Sequence, residues 1–577
     1  MTQTISRSAT SRRDASALGT WVPGLKVLRA YDRAWLPRDL VAGLVLSVLL
    51  VPQGMAYAEL AGLPPINGLY TTVVCLVAYA AVGPSPLLVL GPDSALGAMI
   101  AAVILPLAAS SSEQAVALAG VLAVLVGLLC VFAGVLRLGF VADLLSRPIR
   151  VGYLAGLAVT IIVGQLPKLL GFSIDADGLL RELSATWHQR DQTNPYALAI
   201  GLVDLAIILG LKYRHSRIPG VLAAVVVSIL AVNVFNLTTR GVDVIGALPQ
   251  GFPAPSVPLV DPSALPLLLA ASIGISLVAI GDTVATSTSF AARRGYEVDS
   301  NQELAGIGWA NLLAAVFQGF PVSTSGSRTA VAEQSGAKTQ LTGLVAAGSV
   351  LAMLLFVPGL VQNLPQPALA ALVISAGISL FDLGELRRLF VMRRAEFALA
   401  VGSALGVALV GVLAGIVIAI GMAIALFFER AWRPYSAVLG RPAGVDGFHD
   451  LSRYPDAAQV PGLLILRWDA PLFFANATLF RDMVRRRLAE TSPAARWVLL
   501  AAEPITDVDT TAADMLTDLD LELNAKGVHL AFAGLKDPVK ETVVRYGLLE
   551  TIDRRRFFPT LEVAVEAFDQ EQMHHHT

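Results

Sequence analysis

The alternation of apolar and polar positions divides the chain into two parts built on different rules. Between residues 39 and 428 it is a succession of apolar runs cut by Pro, Gly and charge. The runs fall near 39–58, 67–82, 93–107, 115–136, 150–170, 195–211, 218–235, 264–291, 302–318, 326–334, 341–358, 367–380, 394–408 and 410–428. Many approach the roughly 20 residues a helix needs to cross a bilayer, and several fall short of it. The pattern predicts a polytopic α-helical membrane protein of about 14 segments. After Arg433 the period changes. "GLLILRWDAPLFFANATLFRDMVRRRLAE" reads as strand, turn and amphipathic helix, and "RWVLLAAEPITDVDTTAADMLTDLDLELNAKGVHLAFAG" as strand, helix, strand. That alternation predicts a small α/β domain.

A polar, proline-rich connector, "NLTTRGVDVIGALPQGFPAPSVPLVDPSALP", separates two sets of seven runs, 36–236 and 264–430. An odd number per half makes the second half enter the membrane inverted relative to the first. The third run of each half is the unusual one. "LLVLGPDSALGAM" and "GFPVSTSGSRTAVAEQSGAKT" each pass from an extended stretch through a Gly/Pro break and small polar residues into a short helix. Paired interrupted segments at matching positions point to a transporter site near the midplane. The expected organisation is an N-terminal segment 1–35, a membrane domain 36–433, a linker 434–455, the α/β domain 456–570 and a tail 571–577.

Composition supports the membrane assignment: 55% of the 577 residues are hydrophobic and 15% charged, with mean hydropathy +0.66. The net charge of -2 decides nothing, because orientation follows from where the cations lie. Arg137, Arg147, Arg150, Lys212, Arg214, Arg217, Arg293, Arg294, Arg387, Arg388, Arg393, Arg394, Arg430 and Arg433 fall on one side, against Lys168, Arg181, Arg190 and Arg240 on the other. The asymmetry predicts that both termini are cytoplasmic, in a bacterial plasma membrane. Residues 1–35 carry no signal-peptide pattern, so the first span is expected to direct insertion. Cys75 and Cys130 lie in apolar runs and predict neither disulfides nor a metal cluster. The "MHHHT" end reads as a disordered tail.

Broken backbone within the bilayer must face protein or water. A half-helix that starts there aims free N–H groups and about half a positive charge at what precedes it. Two in inverted repeats would face each other and enclose an anion site. Arg328 adds a full charge and a planar fork suited to an oxyanion. A charge at the bilayer centre costs about 2.5–3.5 kcal/mol, which argues for function over chance. The alternatives are snorkelling to the interface or pairing with Glu333. Ser323, Thr324, Ser325 and Ser327 offer hydroxyl donors, and Gly326 lets the backbone approach a ligand. Asp93 would compete with an anion and is expected to cap its half-helix. Asp282 lies in an apolar span with Thr286 one turn on, and is a candidate proton or sodium coupling site; a hydrogen bond or an ion pair with Arg328 is the structural alternative. Asp204 and Asp143 are weaker cases, Asp204 pairing with a neighbouring helix and Asp143 interfacial. Gln53 and Tyr57 share a face after the break at Pro52 and either line the cavity or pack.

"VPQGMAYAELAGLPPINGLYTTVV", "LVLGPDSALGAM", "RRGYEVDSNQELAGIGWAN" and "GFPVSTSGSRTAVAEQSGAKTQ" together resemble the SulP family of anion transporters, whose animal members are the solute carrier 26 proteins. The resemblance implies two inverted seven-segment repeats forming a core and a gate domain that move as an elevator, a homodimer, and a cytoplasmic STAS domain. It implies a substrate between the third and tenth segments, contacted by Ser94, Ala95, Ser325, Gly326, Ser327 and Arg328, with Gln53 and Tyr57 facing it. It also places Asp282 where family symporters carry an acid, and Asp with Thr286 is similar to a sodium-coupled bicarbonate member. The STAS-like stretch "DVDTTAAD" has Thr510 and Thr511 in place of a phosphorylatable serine pair, which weakens any expectation of phosphoregulation.

The expected function is secondary active transport of a small inorganic oxyanion, sulfate first, coupled to H+ or Na+ through Asp282. Bicarbonate, a C4-dicarboxylate and uncoupled exchange are alternative cargoes and modes. A receptor signalling through the STAS domain to a cytoplasmic partner is the non-transport alternative. Membrane lipid is an expected partner; nucleic acid, a cofactor and a bound structural metal are not. No Ser-His-Asp or metal-spaced pattern in the spans points to an enzyme.

Overall fold

The structure, a computed structural model, describes residues 31–108, 111–139, 147–174, 176, 178–214 and 219–575. Most of the N-terminal segment, Asp143, His215, Arg217 and the last two residues of the tail lie outside the described residues. The chain divides into two compact units, 1–423 and 424–577.

In the first unit, α1 (Leu36–Leu60), α2 (Pro65–Val82), β1 (Leu90–Gly91), α3 (Ser94–Ile104) and α4 (Ser112–Val135) lead to α5 (Arg147–Leu170), α6 (Leu179–His188), α7 (Pro195–Tyr213) and α8 (Gly220–Phe235). The order then recurs as α9 (Leu265–Arg294), α10 (Ser300–Val316), β2 (Ser323–Thr324), α11 (Gly326–Gln334), α12 (Leu341–Phe356), α13 (Gln366–Leu380), α14 (Leu383–Met392) and α15 (Arg394–Leu405), followed by α16 (Val412–Trp432), whose residues are divided between the two units. Each half holds one interrupted segment in third place and one short amphipathic helix, α6 or α14, absent from the hydropathy pattern because each is only ten residues long and interrupted by charge. Among the described residues seven helices are long and apolar enough to cross a membrane, and three shorter ones are apolar.

Packing sorts these helices into two bundles. One joins α1, α2 and α4 to α9, α10 and α12; the other joins α5, α7 and α8 to α13 and α15. Small residues set the close approaches, as expected where lipid gives no hydrophobic drive between helices. Gly68 packs on the backbone of Gly54 with no room for a Cβ of its own, and Gly152 and Gly156 lie against the backbone of Ala400 and Ala404. A π-helical stretch, Gly406–Val410, follows α15.

The second unit is an α/β fold. β3 (Ser436–Gly440), β4 (His449–Asp450), β5 (Leu463–Trp468), β6 (Trp497–Ala501), β7 (His529–Ala533) and β8 (Phe557–Phe558) form one sheet in the order β4-β3-β5-β6-β7-β8. The strands from β5 to β8 pair in parallel, and β3 is antiparallel to β5. α17 (Ala477–Glu490), α18 (Thr510–Ala525) and α19 (Asp537–Arg545) cover one face, and α20 (Leu561–His575) the other. Two expectations change here. The stretch 434–455 is not a free linker, because β3 and β4 use its backbone to extend the sheet. The tail is helical through His575, continuing α20.

Candidate functional site

The two interrupted segments meet. β1 and β2 pair antiparallel, Leu90 with Thr324 and Gly91 with Ser323, so α3 and α11 start at one place and run apart. Ser325 N extends the pairing by donating to Val89 O at 3.2 Å. Thr329 Oγ1 closes it, accepting from Val89 N at 3.1 Å and donating to Ser325 O at 2.8 Å. Each helix carries its own cap: Asp93 accepts from Ala95 N at 2.9 Å, and Ser325 from Arg328 N at 3.4 Å. A third hydroxyl, on Ser327, lies 3.0 Å from Ser325 Oγ. First-turn N–H groups of both helices thus converge, the arrangement that binds anions.

Buried carboxylates hold the crossing in place. Asp39 on α1 is fully buried and accepts from Lys338 N (2.6 Å), Thr339 N (3.2 Å), Thr339 Oγ1 (2.7 Å) and Thr342 Oγ1 (3.0 Å), fixing the exit from α11. Glu303 on α10 accepts from Tyr79 Oη at 2.6 Å and from Ser85 Oγ, fixing the approach to β1. Gln340 Nε2 donates to Ser85 O (2.8 Å) and Leu88 O (2.9 Å) and links the two anchors.

In front of the crossing lies a cavity of about 670 Å³. Gln53, Tyr57, Ser94, Ala95, Ser325, Gly326, Ser327, Asp282 and Thr286 all line it, with Asp93 and Thr324. The amide oxygen of Gln53 is buried and has no hydrogen-bond partner among the described residues, a polar group left over on the wall. From there the cavity runs past Ser289 and Phe290 of α9 to Lys212 of α7 and Ser379 of α13. At the other end of the bundles the passage is bridged. Glu59 on α1 accepts from Gln366 Nε2 on α13 at 2.9 Å and pairs with Lys168 on α5 at 3.5 Å.

Arg328 departs from the expected geometry. It is 1% exposed and does not line the cavity. Its guanidinium donates to Pro92 O at 2.7 Å and Gly91 O at 3.3 Å, bracing the first interrupted segment from behind. The physical reason is the break itself: Gly91 and Pro92 stand outside any helix, and their carbonyls need a donor. Neither alternative partner is used, since Glu333 pairs with Arg294 (2.6 Å) and Arg293 (3.8 Å), and Asp282 makes no ion pair with Arg328. Asp204 is 1% exposed on α7 and faces the Ser228 hydroxyl of the neighbouring α8. The cavity instead shows two cations, Arg150 and Lys212, and two hydroxyls, Ser375 and Ser379, on the bundle opposite the crossing. In the sequence the two cations look like loop charges, and only their places at the start of α5 and the end of α7 reveal them.

In the α/β unit, Thr510 and Thr511 are exposed at the start of α18, behind an Asp509 cap that accepts from Ala512 N at 2.8 Å.

Residues 36–403 match the sulfate permease family, and residues 454–564 match the STAS domain. A probable sulfate transporter of Mycobacterium tuberculosis is 40% identical over 550 residues, covering 95% of this chain and 98% of the relative. The chloroplastic sulfate transporter 4.1 of Arabidopsis thaliana is 31% identical over 570 residues, 95% of this chain and 82% of its own length. The fold matches that of the murine solute carrier 26 family member A9, with TM-score 0.89 at 22% identity over 98% of this chain and 97% of that one. It also matches the transmembrane domain of the cyanobacterial bicarbonate transporter BicA, with TM-score 0.60 at 23% identity over 68% of this chain and 97% of that one. The chain belongs to the sulfate permease family and ends in a STAS domain; it is a multi-pass anion transporter and not an enzyme.

Proposed function

We propose that this member of the sulfate permease family carries sulfate across a bacterial plasma membrane, with the anion held where α3 and α11 begin. The observation that carries this is the antiparallel pairing of β1 and β2, which turns two helix N-termini and the Ser325 and Ser327 hydroxyls onto one cavity. Sulfate leads because a relative 40% identical is named as a probable sulfate transporter and one 31% identical as a sulfate transporter, and its tetrahedral oxygens suit donors converging from two sides. The bundle that holds the crossing moves against the bundle of α5, α7, α8 and α13. The Glu59, Lys168 and Gln366 bridge closes one face while the cavity opens to the other, which the loop arginines assign to the cytoplasm. Asp282 and Thr286 are oxygen donors on the same wall and accept the coupling cation, H+ or Na+.

The test is uptake of radiolabelled sulfate, bicarbonate and succinate into proteoliposomes under separate sodium and pH gradients. Sulfate accumulation driven by one gradient is expected. Accumulation of another anion instead would reassign the cargo, and exchange without gradient dependence would remove the coupling role. Asp282→Asn keeps sulfate binding and loses gradient-driven accumulation; accumulation equal to that of the unsubstituted protein would exclude Asp282 from coupling.

A further inference from the structure

The cavity wall carries two carboxylates, Asp93 and Asp282, and two cations, Arg150 and Lys212. Two of the four are already occupied. Asp93 caps α3, and Lys212 Nζ donates to Ser379 Oγ at 2.7 Å. Asp282 and Arg150 remain, both half-buried, and among the described residues neither makes a hydrogen bond or ion pair. They belong to different bundles, Asp282 to α9 and Arg150 to the first turn of α5. Beside the main cavity the same two residues line a narrow cleft with Tyr153, Leu154, Leu277 and Val278, and they are the charged members of that lining.

We infer that Arg150 is the internal counter-ion of Asp282 in the unloaded carrier. This rests on Asp282 being the coupling site. A carboxylate beside apolar walls is costly unless something positive accompanies it. In the loaded carrier the coupling cation supplies that charge. The carrier must also return empty, and Asp282 would then cross the boundary between the bundles bare. Arg150 stands across that boundary with no hydrogen-bond or ion-pair partner among the described residues, and a guanidinium keeps its charge at any physiological pH. Arg150 and the coupling cation therefore compete for one carboxylate. A cation must displace the arginine to bind, which ties anion movement to cation movement. Arg150 is a positioning residue here: it acts on the cargo only through Asp282.

The competition predicts a split that a merely structural role would not give. In proteoliposomes, Arg150→Gln should lower net gradient-driven sulfate uptake about tenfold more than it lowers sulfate–sulfate exchange, because the empty return is slowed and exchange never needs that step. The coupling cation should bind Arg150→Gln more tightly, having lost its rival, and Arg150→Lys should restore net uptake. Equal losses of exchange and net uptake in Arg150→Gln would overturn the counter-ion role, as would an unchanged ratio between them. Should Arg150→Gln fail to reach the membrane, the double variant Arg150→Gln/Asp282→Asn decides, since it leaves no bare carboxylate. It should insert and catalyse exchange, and a double variant as defective as the single one would overturn the pairing. Failure of the unsubstituted protein to take up sulfate under any gradient would instead overturn the proposed function, and this role with it.

Discussion

Residues 90–104 and 323–334 follow one backbone course, a two-residue strand turning into a helix that starts inside the bundle, yet they carry opposite chemistry. The first helix, "SALGAMIAAVI", is apolar behind a charged cap, Asp93; the second, "GSRTAVAEQ", is polar behind a neutral cap, Ser325. The shared backbone supplies the N–H groups and the dipole field. The side chains divide the rest. The second segment gives the hydroxyls and, through Arg328, the donor that secures the first. The first gives a carboxylate that disfavours anions. A site with two identical positive helix ends could bind an anion too firmly to release it, and conduction requires binding weak enough to leave. Asp93 tempers that field.

The largest expected effect comes from removing the tie between the segments. Arg328→Ala leaves the carbonyls of Gly91 and Pro92 without their donor in a buried position, a loss of about 3 kcal/mol. Sulfate uptake should disappear and the thermal midpoint of the detergent-solubilised protein should fall. If Arg328 instead acted on the anion alone, the midpoint would hold and only affinity would drop. Gly91→Ala attacks the same tie from the other side, because its Cβ would stand 2.7 Å from Arg328 Nη1. It should reproduce the loss of uptake in milder form.

Asp93→Asn sharpens the comparison by making both caps neutral. Asparagine caps a helix as well as aspartate does, so folding should be unaffected. Removal of a negative charge from the cavity wall should tighten sulfate binding by about tenfold and slow turnover. Isothermal titration with sulfate, alongside initial uptake rates, separates the two. Weaker binding would mean that the carboxylate assists the anion or its co-transported cation.

The interrupted segments were legible in the sequence because Gly and Pro punctuate apolar runs at matching places in each half, a signal that depends only on local order. Asp282, Thr286, Gln53 and Tyr57 could be placed on the cavity for a similar reason, a polar side chain at helical spacing in an apolar span. Arg328 stands out in the sequence as a charge in an apolar region, but its geometry does not, since its acceptors lie 236 and 237 residues away on the other segment. Arg150 and Lys212 were hidden by their own regularity. They fit the cationic loop pattern so well that nothing in one dimension separates them from Arg147 or Arg214. β3 and β4 look like linker in the sequence because a strand of five residues and one of two, joined by "RPAGVDGF", carry too short a period to stand out.

The smallest expected effect comes from the second cap. Ser325→Ala removes the oxygen that accepts from Arg328 N and the hydroxyl neighbour of Ser327, at a cost of about 1 kcal/mol. Because the serine also faces the cavity, KM for sulfate should rise roughly fivefold, and the lost cap should lower the thermal midpoint slightly, far less than Arg328→Ala does. Ser325→Asp completes the comparison by giving the second segment the first segment's cap. Helix capping survives, so any change reflects charge alone. Two carboxylates would then flank the place where two helix ends converge, and sulfate binding should weaken further than in Ser325→Ala. If Ser325→Asp bound sulfate as well as the unsubstituted protein, the two caps would be interchangeable, and the difference between the segments would have to lie in Arg328 alone.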